Sequence, residues 1–240
     1  MPQPVFSPDG ALVLAATDDN AVHIQKTDGT ELRALVGHRD RITTAGFSPD
    51  GQLIVTGSRD HTARVWSTRD GRNVASLEGH TDALTAVAFS ADGQSVVTAS
   101  RDATVRIWNV SSGAQRVVLR GHSAVVDSAQ FGPSGLYVVT ASSQDRTVRL
   151  WAVPSGRQIA VLAGQDEVAL RAALTRATFS ADGTRIAIVS GQNSVRIIRS
   201  FQSLHDLIDF ARRVVPRDLT PCERSRFFLP EDPTAGTCSD

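Results

Sequence analysis

Apolar and polar residues alternate with a period of two along most of the chain, and turn residues cut the alternation every seven to ten positions. That texture predicts short strands rather than helices. In residues 84–121 the strands fall at Leu84–Ser90, Gln94–Ser100, Thr104–Val110 and Ala114–Gly121. Ala91-Asp92-Gly93 and Arg101-Asp102-Ala103 turn the chain between them, the first through a glycine that tolerates positive φ. Four strands make one antiparallel sheet. A lone sheet of this kind leaves apolar surface in water, so it gains stability by stacking against copies of itself.

The copies are visible as a period. Gly-His pairs end at His38, His80 and His122, steps of 42 and 42, and tryptophans stand at Trp66, Trp108 and Trp151, steps of 42 and 43. A Phe-Ser-Pro-Asp-Gly series or its variants has its phenylalanine at Phe6, Phe47, Phe89, Phe131 and Phe179. Five copies follow from this, three of them complete, with boundaries near 1–36, 37–78, 79–120, 121–163 and 164–201. The first has only Pro2–Ser7 for an inner strand and Gln25 at the tryptophan position. The fifth has Leu170, Gln192 and Ile198 at the histidine, aspartate and tryptophan positions, and extra residues within Gln165–Thr175 that suit a bulging loop or short helix.

These residues resemble the WD-repeat family of β-propellers, whose repeat runs from a Gly-His pair to a Trp-Asp pair. The likeness covers about residues 4–201, although Ser67, Asn109 and Ala152 replace the aspartate that usually follows the tryptophan. It implies an all-β propeller of about five blades, or an open arc of a larger one. The resemblance also implies that each complete copy holds a buried hydrogen-bonded tetrad. The sets are His38, Thr56, Asp60 and Trp66; His80, Thr98, Asp102 and Trp108; and His122, Thr140, Asp145 and Trp151. The physical logic stands beside the likeness, because a buried indole N–H and a buried carboxylate each need a partner.

After Ile198 the period changes. Phe201, Leu204, Leu207, Ile208 and Ala211 fall at helical spacing, Ser203 and Asp206 resemble a capping box, and Pro216 stops the helix. Thr220-Pro221-Cys222-Glu223 opens a second short helix that ends near Phe228. Residues 202–240 are therefore expected to form a C-terminal helical tail. Leu207–Arg217, Leu219-Thr220-Pro221 and Phe227-Phe228 are similar to the ends of WD-repeat regions in bacterial signalling proteins of the NACHT or STAND type.

Charge removes some function classes. With 25 basic and 25 acidic residues the formal net charge is zero, so no sequence-wide field draws the chain to nucleic acid or anionic lipid. The apolar runs are far shorter than the roughly 18 residues of a spanning helix, and no basic-then-apolar leader opens the chain; a cytoplasmic location is the expectation. Cys222 and Cys238 are too few for a disulfide framework or a multi-cysteine zinc site. Lys26 follows a glutamine, which excludes a phosphate-binding loop, and His23, His61 and His205 have no second ligand at metal spacing. No cofactor and no metal are expected.

A Thr–His–Asp set also has the residue types of a hydrolytic triad. Its threefold recurrence and the lack of an oxyanion-hole motif argue for a structural role. A hydrolase using one exposed set is the alternative, and a lectin-type propeller another, which the single tyrosine and strand-bound tryptophans oppose. The resemblance implies instead a non-enzymatic interaction or sensing scaffold, the C-terminal sensor part of a bacterial signalling system. Its binding face would carry Arg41, Thr43 and Arg59, then Ala83, Thr85 and Arg101, then Val125, Asp127 and Gln144. Arginine forks two hydrogen bonds to a carboxylate, so the partner expected is a protein or peptide that is acidic or phosphorylated.

Overall fold

The protein is described from a computed structural model, which covers residues 4–163, 174–190 and 195–200. Among these residues every regular element is a strand. The first sheet contains β1 (Val5–Phe6), β2 (Leu12–Ala16), β3 (Val22–Lys26) and β4 (Glu31–Leu35). The second contains β5 (Ile42–Phe47), β6 (Leu53–Ser58), β7 (Ala63–Ser67) and β8 (Asn73–Leu77). The third contains β9 (Leu84–Phe89), β10 (Ser95–Ser100), β11 (Thr104–Asn109) and β12 (Gln115–Arg120). The fourth contains β13 (Ser128–Phe131), β14 (Tyr137–Ser142), β15 (Thr147–Ala152) and β16 (Gln158–Ala163), and the fifth β17 (Leu174–Phe179), β18 (Arg185–Ser190) and β19 (Val195–Arg199). Each is an antiparallel meander in chain order. The C-terminal helices expected over 202–240, with Cys222, Cys238 and His205, lie outside the described residues, as does most of the bulge expected within Gln165–Thr175.

Local chemistry makes the hairpins. Between the first two strands of the first, second, third and fifth sheets, a serine hydroxyl binds an aspartate two residues on. Ser48, for example, donates to Asp50 at 2.5 Å while its oxygen accepts the Leu53 amide at 2.9 Å. That exchange closes the turn and leaves Gly51 at φ +70°. The hydroxyl and the Gln52 amide hold the Asp50 carboxyl below its ordinary range. The next hairpin places a non-glycine residue in the left-handed region: Asn20, His61, Ala103 and Arg146 at φ 64°, 69°, 64° and 59°. His61, a candidate ligand by residue type, is an exposed turn residue.

The core lies between sheets rather than inside any one of them. Each sheet has a forward face turned to the next sheet and a backward face turned to the previous one. Val97, Ala99, Val105, Ile107 and Leu119 on the forward face of the third sheet pack with Ala129, Val138 and Trp151 of the fourth. The same arrangement joins Val55, Val65 and Leu77 to Val96 and Trp108, and Leu14, Ile24 and Leu35 to Ile54 and Trp66. Burying one such side chain contributes about 1.5–3 kcal/mol, so the stacking of neighbours supplies most of the stability that a lone sheet lacks. Gly57 marks a close approach: a Cβ there would lie 2.8 Å from Thr44 and 2.9 Å from Val87, whereas Ala99 and Ala141 stand at the same position elsewhere. Among the described residues the four core clusters join consecutive sheets, which is an arc of a β-propeller. No described helix is long and apolar enough to cross a membrane.

Candidate functional site

The backward face of each complete sheet carries a chain of polar side chains that crosses from the third strand to the loop before the first. In the third sheet the Trp108 indole N–H donates to the Thr98 hydroxyl at 2.9 Å, and Thr98 lies 2.8 Å from His80 Nε2. His80 Nδ1 is 2.8 Å from the Asp102 carboxylate. The second sheet repeats this through Trp66, Thr56, His38 and Asp60 with contacts of 2.9, 2.7 and 2.8 Å. In the fourth, Trp151, Thr140, His122 and Asp145 are joined at 2.9, 2.7 and 2.6 Å. Proton counting gives the chain one direction. The indole donates to threonine, threonine donates to Nε2, and Nδ1–H donates to the carboxylate, so a neutral imidazole uses every proton once.

Electrostatics agree with that direction. Burial alone would raise the carboxyls of Asp60 and Asp102, but hydrogen bonds from the histidine, from Thr62 or Thr104, and from a backbone amide outweigh it. Both stay well below the usual carboxylate range. Asp145 behaves alike, with Thr147 and His122 opposing burial, and burial pushes His122 itself below its ordinary value. Aspartate ionised and histidine neutral is thus the resting state of the fourth set.

Several members of these networks went unnoticed among the sequence motifs. Thr62, Thr104 and Thr147 donate to the aspartates at 2.7, 2.6 and 2.7 Å. Ser58 and Ser100 donate to the Asp40 and Asp82 carbonyls at 2.8 and 2.9 Å and accept the Asp60 and Asp102 amides. Their signal is the spacing Ser-x-Asp-x-Thr, present at 58–62 and 100–104. The glycine of each Gly-His pair is explained by close approach, since a Cβ on Gly79 would sit 2.9 Å from Arg106 and 3.3 Å from Trp108.

None of the three sets is open to a substrate. Thr56, Thr98 and Thr140 are 0% exposed, and the histidine side chains are at most 1% exposed. A nucleophile must reach its substrate, and each threonine oxygen is already engaged by an indole and an imidazole. The three tryptophans, at 1–2% exposure, offer no platform for a sugar either.

The rim residues divide into two groups. Backbone bonds from Arg59 to Arg41 and from Arg101 to Ala83, at 2.9 and 3.0 Å, set the loop before each inner strand beside the turn before the third strand. Arg59, Arg101 and Gln144 are exposed there. Arg41 is half-exposed and ion-paired with Asp18 at 2.7 Å. The remaining positions serve the fold. Thr43 donates to the Leu84 carbonyl at 2.7 Å, Thr85 donates to the Val126 carbonyl, and both bonds cross to the following sheet. Ala83 is buried, Val125 half-buried, and Asp127 accepts the Ser143 amide at 2.5 Å. At the other end of the inner strands a cleft of about 300 Å³ is lined by Phe89, Gln130, Phe131, Pro133 and Phe179. Gln130 is its main polar group, too little to orient a specific ligand.

Residues 29–67, 71–109 and 113–152 match the family described as WD domain, G-beta repeat. Each matched stretch begins with the last strand of one sheet and ends with the third strand of the next, so one sequence repeat spans two sheets. A WD repeat-containing protein of Synechocystis is 40% identical over 62 residues, which are 25% of this chain and 18% of that protein. Human WD repeat-containing protein 86 is 52% identical over 42 residues, 18% of this chain and 11% of its own. Guanine nucleotide-binding protein subunit beta-5b of Danio rerio is 36% identical over 63 residues, 26% and 16% of the two chains. The matches thus cover less than a fifth of each of these relatives.

Proposed function

We propose that this chain, a WD-repeat protein by the three repeats it carries, is a non-enzymatic platform that binds a protein or peptide. WD-repeat proteins act as interaction scaffolds, and one relative is by name a subunit of a larger assembly. The observation that carries the reading is the burial of all three Thr–His–Asp sets, which supports a role in tying each sheet to the loop that enters it. What remains for function is surface. On the rim Arg59 and Arg101 project from equivalent turns of adjacent sheets, while the Arg41 charge is balanced by Asp18. Two unbalanced guanidinium groups at repeat spacing favour an acidic or phosphorylated segment in extended form. The C-terminal sensor part of a bacterial signalling system is the setting we propose, on the likeness of the tail sequence.

The test is binding to an array of acidic and phosphorylated peptides. Wild type should select members that the triple variant Arg41→Glu, Arg59→Glu, Arg101→Glu loses, with unchanged circular dichroism. Equal binding by both proteins would move the interface off this rim.

A further inference from the structure

The forward face of the fifth sheet is built like a face meant to be covered. Ala187, Val189, Val195 and Ile197 occupy the positions held in the fourth sheet by Val139, Ala141, Val148 and Leu150. Those four are between 0% and 9% exposed beneath the fifth sheet. Val195 and Ile197 are instead 60% and 62% exposed. At the other end of the arc the backward face of the first sheet presents Phe6, 62% exposed, with Val13 and Ala15 half-buried beside it. The equivalent Phe131 is 6% exposed where a preceding sheet covers it.

The two ends differ in charge. Residues 4–35 contain Asp9, Asp19, Asp28 and Glu31 against Lys26 and Arg33, with Asp18 balanced by Arg41 of the second sheet. Asp19 and Glu31 bracket His23 on the backward side and are 55% and 51% exposed. On the fifth sheet the exposed Arg176 and Arg185 alternate with the covered Ala177 and Ile186 and so border the open apolar face. From these features we infer that the forward face of the fifth sheet docks on the backward face of the first sheet of a second copy of this chain. The contact repeats between molecules the sheet-on-sheet packing found four times within one. Pairing two fifth sheets would set arginine against arginine, and pairing two first sheets would set carboxylate against carboxylate. The complementary ends therefore select a head-to-tail contact over a twofold one.

A head-to-tail contact has a signature that mixing reveals. Sedimentation velocity of the full chain should show mass rising with concentration up to about 100 μM, and falling as salt is raised from about 0.05 to 0.5 M. A tail variant, Val195→Asp with Ile197→Asp, and a head variant, Phe6→Asp with Glu31→Arg, should each associate about tenfold or more weakly. Mixed together they should give a one-to-one dimer and nothing larger, because only one intact head and one intact tail remain. All four substituted side chains are more than half exposed, and circular dichroism identifies any variant that misfolds. A wild type that stays monomeric throughout overturns the inference, as does association that both variants leave unchanged. A mixture no heavier than its components, while wild type associates, would show a twofold contact and overturn the head-to-tail geometry.

Discussion

In the third sheet Trp108, Thr98, His80 and Asp102 form one continuous hydrogen-bonded chain, whereas the first sheet has Ala15 and Gln25 at the threonine and tryptophan positions and the fifth has Ile188 and Ile198. The fifth sheet is the more instructive of the two ends. Its backward face is covered, with Ile186 and Ile188 at 1% and 2% exposure against the fourth sheet, so it needs packing as much as the third does. It obtains that packing from apolar residues alone. A polar network with every member satisfied and an apolar set of similar volume are both stable solutions, while a partial network strands buried groups that cost about 1–3 kcal/mol each. The fifth copy has accordingly lost all four residues, whereas the first keeps only the carboxylate, Asp19, which is 55% exposed and so strands no buried group.

The first sheet shows a third solution, on the surface. His23 stands where Arg64 and Arg106 stand in later sheets and bridges Asp19 at 3.1 Å and Glu31 at 2.7 Å. Glu31, then burial in opposition, then Asp19 act on the imidazole, and the net result raises it above its ordinary 6.5. His122 is shifted the other way. Two carboxylates favour the protonated form of the first histidine, and burial in a relay favours the neutral form of the other.

The largest effect expected from this comparison is at the indole. Trp108→Ala should cost about 3–5 kcal/mol, from lost packing and from stranding Thr98, and should lower the urea midpoint accordingly. Gln25→Ala, at the matching position of the first sheet, should stay within about 0.5 kcal/mol. An equal response would end the distinction between the sheets. Next is the carboxylate: Asp102→Ala leaves His80, Thr104 and the Thr81 amide short of an acceptor and should cost about 1–3 kcal/mol. Replacing the relay together by Trp108→Ile, Thr98→Ile, His80→Leu and Asp102→Gln, after the pattern of the fifth sheet, should cost less than the sum of the single changes.

A pH titration of stability separates the two histidines. His122, with its folded value lowered, contributes stability that is complete above about 6.5 and is lost as pH falls below it; the relay aspartates add a further loss as pH falls below about 3.8. His23, with its folded value raised, contributes stability that is complete below 6.5 and is lost as pH rises through the raised value. His23→Gln should therefore destabilise most at pH 5.5 and progressively less as pH rises, as read from denaturation midpoints. The smallest effect belongs to the left-handed turns. Ala103→Asn should stabilise by about 0.5 kcal/mol and Asn20→Ala should destabilise by a similar amount, because asparagine tolerates that backbone region better than alanine.

Much of the architecture was legible as period. The strands expected at 84–90, 94–100, 104–110 and 114–121 are observed at 84–89, 95–100, 104–109 and 115–120. Such agreement is natural where alternation, a Ser-x-Asp turn and a left-handed residue all act within a few positions. Thr62 and Thr104 were also within reach, since they lie two residues from an aspartate already singled out. The rim was less legible. Thr43 and Thr85 look like free hydroxyls in the sequence, yet each is spent on a carbonyl 41 residues away in the next sheet.

The sequence by itself determined what is local or periodic in this protein: strand lengths, turn chemistry, the repeat, and which copies keep the full polar set. Those features follow from side chains that interact within a hairpin or recur in register, so a linear reading reaches them. Only the tertiary structure decided which groups are spent and which are free. Stacking two sheets buries Trp108 in the preceding interface, gives Thr43 a partner across it, pairs Arg41 with Asp18, and leaves Val195 and Ile197 without a covering sheet among the described residues. Burial belongs to the packed pair of faces rather than to any residue, and so it appears only once the sheets are set side by side.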